Sequence, residues 1–211
     1  MHATATPQDY FWLEQPPYDG WIQNAYCVTT VTGLSAIAVI TALDATSLET
    51  TADFIDLSAR AQEQWDGPGA GQVLIAGFRD IPDGTLIVED NGFLGTIPSL
   101  MRPLSLGRDV VSHFANVNAL DRLTHWRDGE TIVDIEPLTG HEYVPASDSF
   151  RAQAGDCGLD LGTTGEGEYE YDAHLRSRVW AIAERLSGIR LTPADLRDGL
   201  TLAEVRVPAA W

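Results

Sequence analysis

Two histidines and their neighbours are the residues best suited to acid–base chemistry. His113 and His125 fall on neighbouring predicted strands, Asn116 follows the first histidine, and Trp126 follows the second. A general base must lie within hydrogen-bond distance of the proton that it removes. If the strands bring these four side chains together, they form a pocket such as a small-molecule sensor or a hydrolytic enzyme uses. The alternative interpretation is that each histidine is half-buried and bonded to a neighbour, and that Asn116 ends a strand through a turn.

The other reactive groups favour structural roles. Cys27 stands in the middle of a β-branched strand, where a thiol is usually a small apolar group. The glycine run at 67–71 precedes a strand instead of joining a strand to a helix, which is the wrong context for dinucleotide binding. His141 and Glu142 are adjacent and would point to opposite sides of a strand. We therefore predict no catalytic residue, no metal site and no cofactor.

The charge balance excludes several classes of function. The 211 residues include 13 arginines, no lysine and 31 acidic residues, which gives a net charge of −18. A negative field of this size repels nucleic-acid phosphates, so we predict no binding to nucleic acid. The chain also lacks the lysine amine on which Walker-type phosphate loops, Schiff-base enzymes and protein kinases depend.

Much of the negative charge lies in one segment. Residues 128–172 hold twelve carboxylates and a single arginine, Arg151. Such an excess accelerates the encounter with a basic partner, and tyrosines, which occur here at 169 and 171, are favoured in interfaces. A solvated loop is the alternative interpretation. The candidate partner-binding residues are Asp156, Asp160, Glu166, Glu168, Glu170 and Asp172.

A scaffold of alternating strands and helices must position these residues. The apolar stripe that includes Leu175, Val179 and Ile182 predicts a long amphipathic helix late in the chain. The spacing of apolar residues after Ser47 predicts an earlier helix that continues to Trp65. Shorter helices are predicted at 34–43, 97–106 and after 192, and strands at 26–31, 72–78, 85–89 and 109–117.

The dipeptide Asp128-Gly129 predicts a two-residue hairpin turn. With this turn as the loop, Arg127 pairs with Glu130 and can form an ion pair with it. Because side chains alternate along a strand, the hairpin then has one core face and one opposite face. The predicted core face holds Thr124, Trp126, Thr131, Val133 and Ile135, and the opposite face holds Leu123, His125, Arg127, Glu130, Ile132 and Asp134.

These elements together predict a single α+β domain over residues 9–205. We expect an antiparallel sheet of five or six strands that is packed by N-terminal and C-terminal helices. Residues 1–8 are expected to be a flexible N-terminus, and 137–168 a long acidic surface excursion within the domain. No apolar run reaches the roughly 18 to 20 residues of a membrane span, and the first residues lack a signal-peptide pattern. We therefore expect a cytoplasmic protein that does not bind membranes.

Four short segments occur in an order that resembles a known family. The segments are Asp9–Glu14, Ala25–Gly33, Val88–Gly95 and Leu186–Pro193. They are similar to the signatures of the uncharacterised bacterial family of domain of unknown function 6461, which is common in high-GC Gram-positive bacteria. The resemblance extends from about Asp9 to Leu196 and implies a cytoplasmic bacterial protein of one domain. It carries no catalytic residue over to this chain, and the acidic tract before the last long helix departs from the family in length and composition.

The sequence thus favours a non-catalytic, intracellular protein-interaction module. Its acidic surface would bind a basic protein, as an immunity or accessory factor does. The alternative is a small-molecule-binding sensor or hydrolytic enzyme with its pocket near His113, His125 and Trp126. A purely structural subunit is a third interpretation.

Overall fold

A nine-stranded antiparallel sheet forms the centre of the protein. The structure is a computed structural model and describes residues 4–161 and 172–209. The strands are β1 (Tyr26–Thr32), β2 (Thr46–Ala52), β3 (Val73–Ile81), β4 (Gly84–Asp90), β5 (Asp109–Ala115), β6 (Asp121–Arg127), β7 (Glu130–Glu136), β8 (His141–Val144) and β9 (Leu200–Arg206). Their order across the sheet is β2-β9-β3-β4-β1-β5-β6-β7-β8.

The predicted α+β class is confirmed, but the sheet is larger than the five or six strands expected. Strands β2, β8 and β9 are not among the strands predicted from the sequence. Strands β2 and β8 form the two sheet edges, and their mostly polar sequences show no clean alternation of apolar and polar residues. Their pairings also contain register shifts. Strand β9 lies inside the sheet, between β2 and β3, and has buried residues on both faces. A strand buried on both sides also lacks the alternating pattern.

Helices cover the sheet within the described residues. The α-helices are α1 (Asp19–Asn24), α2 (Ala36–Ala42), α3 (Phe54–Asp66), α4 (Pro98–Leu104), α5 (Asp148–Asp156), α6 (Leu175–Ser187) and α7 (Pro193–Arg197), and Pro7–Glu14 and Leu94–Thr96 are 3-10 helices. Among these described helices, none has both the length and the apolar character that a membrane crossing requires.

The helices pack on both faces of the sheet and produce two hydrophobic cores. On the first face, which we call face 1, the core includes residues of the N-terminal 3-10 helix, α1, α3, α5, α6 and α7. On the second, face 2, the core includes residues of α2, α4 and the Leu94–Thr96 turn. In β1, the residues from Tyr26 to Val31 are all buried. Successive residues of an inner strand therefore point into different cores.

Helix α6 attaches the N-terminal segment to face 1. The ring of Tyr10 packs edge-on against Trp180, with 5.9 Å between the ring centroids. The Tyr10 hydroxyl donates a hydrogen bond of 2.8 Å to Glu184 Oε2. The 3-10 helix begins at Pro7 and Ala5 is buried, so the packed part of the chain starts before the predicted domain boundary.

The helix predicted after Ser47 is wrong in its first part, because residues 46–52 form strand β2 and α3 begins only at Phe54. A capping box at Asp53 sets this start. The Asp53 carboxylate accepts a hydrogen bond of 2.9 Å from the backbone N–H of Asp56, and the Asp56 carboxylate accepts one of 3.1 Å from the backbone N–H of Asp53. These bonds satisfy N–H groups that lack partners within the helix.

The β6–β7 hairpin has the predicted turn. Asp128 and Gly129 both have positive φ angles, 53° and 80°, as a two-residue turn of this type requires. Arg127 pairs with Glu130 in the predicted register. The guanidinium of Arg127, however, forms its ion pair with Asp109 of the neighbouring strand β5, at 2.7 Å.

Beyond the turn, the predicted register and core face are wrong. A bulge lets His125 pair with Val133, whereas the sequence predicted Ile132, and Ile132 remains 46% exposed. The extra residue moves the rest of β7 to the other side of the sheet. Trp126 and Val133, predicted to share one core face, therefore belong to different cores.

The segment predicted as a surface excursion, 137–168, contains β8 and α5. Ser147 begins α5 as its N-cap, and its hydroxyl accepts a hydrogen bond of 3.2 Å from the backbone N–H of Phe150. Phe150 and Ala154 lie one helical turn apart and are buried in the face 1 core. This part of the segment is therefore built into the fold, while residues 162–168 lie outside the described residues.

The Leu94–Thr96 turn packs so closely on β1 and β5 that Gly95 has no room for a side chain. A Cβ atom there would overlap the hydroxyls of Ser112 and Thr29. We expect Gly95→Ala to lower the free energy of unfolding by about 1–3 kcal/mol, as overpacked core sites do. The control is Gly155→Ala in α5, where a Cβ meets nothing within 4 Å and a better helix former is introduced. Urea unfolding measures both variants, and equal stabilities would contradict the close packing.

Candidate functional site

The four residues of the predicted pocket lie in three different places. His113 and His125 point into face 1, whereas Trp126 is buried in the face 2 core. This separation follows from alternation, because Trp126 directly follows His125 in the same strand. Asn116 lies in the β5–β6 connection, where its side-chain oxygen accepts hydrogen bonds of 2.9 and 3.1 Å from two backbone N–H groups. The structure does not bring the four side chains together.

His113 is the centre of a buried hydrogen-bonded chain on face 1. Its Nδ1 lies 2.8 Å from the Tyr26 hydroxyl, and its Nε2 lies 2.6 Å from Asp121 Oδ1. The other Asp121 oxygen forms an ion pair with Arg176 of α6. The indole N–H of Trp180, also on α6, donates to the Tyr26 hydroxyl at 3.3 Å. The chain thus links β1, β5 and β6 to α6.

The environment of this hydrogen-bonded chain indicates a structural role for His113. Burial and the Arg176 charge lower the pKa of His113 well below its ordinary value, so the ring is neutral at pH 7. Its Nε2–H then donates to the Asp121 carboxylate, and its Nδ1 accepts from Tyr26. Burial also raises the pKa of Tyr26 to about 12. The cavity beside His113 measures about 20 Å³, which is room for no more than a water molecule.

His125 makes a similar link between β6 and β5. Its Nε2 lies 2.6 Å from Asp109 Oδ1, the oxygen that also accepts from Arg127 Nε at 2.7 Å. Burial lowers the pKa of His125. Its other ring nitrogen, Nδ1, has no hydrogen-bond partner in the described part of the chain. The ring is therefore held in place by Asp109 rather than presented to a ligand.

A second buried polar cluster lies on face 2 around Glu89. Both oxygens of this fully buried carboxyl group lie 3.1 Å from the backbone nitrogen of Leu94. Burial raises the pKa of Glu89 to about 8. The thiol of Cys27 lies 3.4 Å from Ser112 Oγ, and burial together with the nearby Glu89 raises its pKa well above the ordinary value. A thiol of this kind is a poor nucleophile.

The described acidic side chains of the predicted partner-binding set are partly engaged with α6. Asp172 forms an ion pair of 3.0 Å with Arg178, and Asp156 forms one of 3.6 Å with Arg185. Asp160 is exposed. The three other members of the set lie outside the described residues: Glu166, Glu168 and Glu170.

The acidic and histidine side chains are not arranged as metal ligands. Within residues 4–161 and 172–209, no group of three or more His, Cys, Asp or Glu side chains is placed to hold a metal ion. The adjacent pair His141 and Glu142 makes separate contacts. His141 packs edge-on against Tyr143, with 4.7 Å between the ring centroids, and Glu142 forms an ion pair with Arg151.

A groove of about 770 Å³, which no sequence pattern indicates, lies between α1, the start of α3 and α7. We call it the α1–α3 groove. The lining comes from four distant parts of the chain, which no local pattern connects. Residues that line the groove include Trp21, Phe54, Ile55, Ser58, Asp90 and Arg197.

Comparison with known proteins gives one match. The model of a family described as a family of unknown function, DUF6461, matches residues 3–207. No curated protein and no solved structure matches the chain.

Glu89 makes the stability of the protein depend on pH. The pKa of Glu89 is about 8 in the folded protein, whereas its ordinary value is 4.5. The stabilisation that comes from the protonated form is therefore complete below about pH 4.5 and is lost as the pH rises through 8. Relative to Glu89→Gln, we expect the wild type to lose on the order of 4 kcal/mol of unfolding free energy between about pH 4 and pH 9.

Urea unfolding at several pH values measures this difference. Glu130→Gln is the matched control, because Glu130 is exposed next to the β6–β7 turn. The control should follow the wild-type pH profile. Parallel profiles for the wild type and Glu89→Gln would show that Glu89 does not titrate in this range.

Proposed function

The chain belongs to the DUF6461 family of unknown function, and we propose that it is a non-catalytic protein-interaction module that binds a basic protein through its acidic surface. The segment from Asp128 to Asp172 is the proposed contact surface. The observation that supports the proposal is that most arginines are paired with carboxylates of the same chain, which leaves an excess of exposed carboxylates.

Most of the arginines form ion pairs with carboxylates of the same chain. Arg122, for example, binds both oxygens of Asp134, at 2.7 and 2.6 Å. Since the chain has 31 acidic residues and 13 arginines, these internal pairs leave many carboxylates at the surface. Within the described residues, at least eight arginines pair with carboxylates: Arg79, Arg122, Arg127, Arg151, Arg176, Arg178, Arg185 and Arg190.

The proposed contact surface contains exposed carboxylates, and some of them also form ion pairs with arginines. Asp156 pairs with Arg185 and yet its side chain remains 74% exposed. Asp148 and Asp160, at the start of α5 and after its end, are exposed as well. A basic partner would be attracted over the screening length of about 8–10 Å at physiological salt and then held by contacts in this segment.

The burial of the acid–base groups supports a binding function for the protein rather than an enzymatic one. His113, His125, Glu89 and Cys27 are each less than 4% exposed. Each is also engaged with another part of the protein, through Asp121, Asp109, Leu94 and Ser112 respectively. A group that a substrate cannot reach does not act as a general acid, general base or nucleophile.

A pulldown with the immobilised full-length chain tests the proposal. We expect a basic protein to be retained from a cell lysate at low salt and released at high salt, because the contact is electrostatic. The purified partner should then bind about ten-fold more weakly to a chain that combines four substitutions in the proposed contact surface. These are Asp160→Asn, Glu166→Gln, Glu168→Gln and Glu170→Gln.

A control variant separates the contact surface from the overall charge. Asp44→Asn, Glu63→Gln, Asp66→Asn and Asp83→Asn together remove the same number of charges from exposed positions elsewhere. This control should bind the partner more tightly than the first variant. Equal losses would contradict the proposed surface, and the lack of any salt-sensitive basic partner would contradict the function.

A further inference from the structure

We propose that the α1–α3 groove is a binding site for a small organic ammonium ion with an apolar body. Its Asp90 carboxylate would pair with the ammonium group, and its aromatic wall would enclose the apolar part. The groove of about 770 Å³ lies within the range of small-molecule sites, roughly 300–1,000 Å³. This proposal does not depend on the basic protein partner.

The anionic end of the groove is formed by Asp90 at the end of β4. The Ser58 hydroxyl of α3 donates a hydrogen bond to Asp90 Oδ2, which fixes the orientation of the carboxylate. The carboxylate is partly buried, and this burial raises the pKa of Asp90. A bound cation would restore favourable interactions that the carboxylate lost with water.

The apolar wall is formed by aromatic rings of α1 and α3. The rings of Trp21 and Phe54 meet edge-on, with 4.8 Å between their centroids. Ile55 lies at the rim and is 76% exposed. Aromatic faces attract cations, and this attraction increases where water is excluded. The wall thus accommodates the apolar body of a ligand next to its charged group.

The charges of the lining favour a cation over an anion. Asp53 and Asp90 both line the groove, together with Arg197 of α7. Asp53 is committed to capping α3, so Asp90 is the carboxylate in the lining best placed to accept a ligand. Arg197 is exposed, in contrast to the partly buried Asp90. The net charge of −18 also draws cations towards the protein.

The groove is held open by contacts behind its walls. The Tyr18 hydroxyl donates a hydrogen bond of 2.9 Å to the Pro193 carbonyl and so connects the start of α1 to α7. The Trp21 ring packs on Tyr26, with 5.0 Å between the centroids, and Tyr26 is fixed by His113. A site that needs little rearrangement loses less free energy on binding.

Two probes of nearly equal shape test the proposed ligand chemistry. Isothermal titration of the full-length chain with phenethylamine should show binding with a Kd of about 0.1–1 mM, and 2-phenylethanol, which lacks the ammonium group, should bind at least about ten-fold more weakly. Asp90→Asn should reduce phenethylamine affinity about ten-fold or more, because it removes the charge and keeps the shape.

Asp83→Asn is the matched control, since it changes an exposed aspartate at the other end of the β3–β4 hairpin and should not alter the affinity. Ile55→Ser changes only the exposed rim, so it should weaken binding without affecting the fold. Thermal unfolding confirms that each variant is folded. Equal binding of both probes, no binding of either, or unchanged affinity in Asp90→Asn would overturn the proposal.

A lysine-phenylalanine peptide, capped at both ends, tests whether the groove binds a lysine side chain of a protein or the ammonium group of a small molecule. If the peptide binds and phenethylamine does not, the groove belongs to the protein-partner surface and the small-molecule proposal is wrong. If phenethylamine binds in the Asp90-dependent manner, the proposal holds even when no basic partner is found.

Discussion

Both faces of the central sheet are covered by helices, so a polar side chain on an inner strand must find its partner within the protein. An unpaired buried polar group costs several times more than a hydrogen bond contributes. This constraint explains the chain from Tyr26 through His113 to Asp121, in which successive polar groups satisfy one another. It also explains why the Glu89 carboxyl group lies against the backbone N–H of Leu94 in the Leu94–Thr96 turn. The residues that looked most reactive in the sequence are therefore part of the internal structure.

The same constraint determines how the arginines are distributed. Arg176 reaches from α6 to Asp121, and Arg127 reaches across to Asp109, so each guanidinium compensates a carboxylate that a strand carries into or next to the core. Arginine is suited to such pairs because its planar group offers several donors. Because acidic residues outnumber arginines, 31 to 13, many exposed carboxylates are left to create the negative potential. Internal packing and surface charge are thus two results of one distribution of arginines.

Local signals in the sequence predicted the parts of the fold that depend on local chemistry. The Asp128-Gly129 turn and the late amphipathic helix are examples, because positive φ angles and a helical stripe are properties of short segments. The bulge at Ile132 could not be predicted, since it places an apolar residue at the surface while Val133 reaches the face 1 core. The two-sided burial itself depends on how distant helices pack. That burial is also why Trp126 and His125 face different cores.

The α1–α3 groove shows why a binding site can escape a search for reactive motifs. Its carboxylate, Asp90, has no nucleophile or histidine beside it in the sequence, and the Ser58 that orients it lies 32 residues away. What distinguishes Asp90 from the many exposed carboxylates is its environment. The surface carboxylates act together over a distance and are weakened by salt, whereas a partly buried carboxylate beside Trp21 and Phe54 interacts at close range, where screening is weak. The long-range field would bring cations to the protein, and the groove would select those that carry an apolar body.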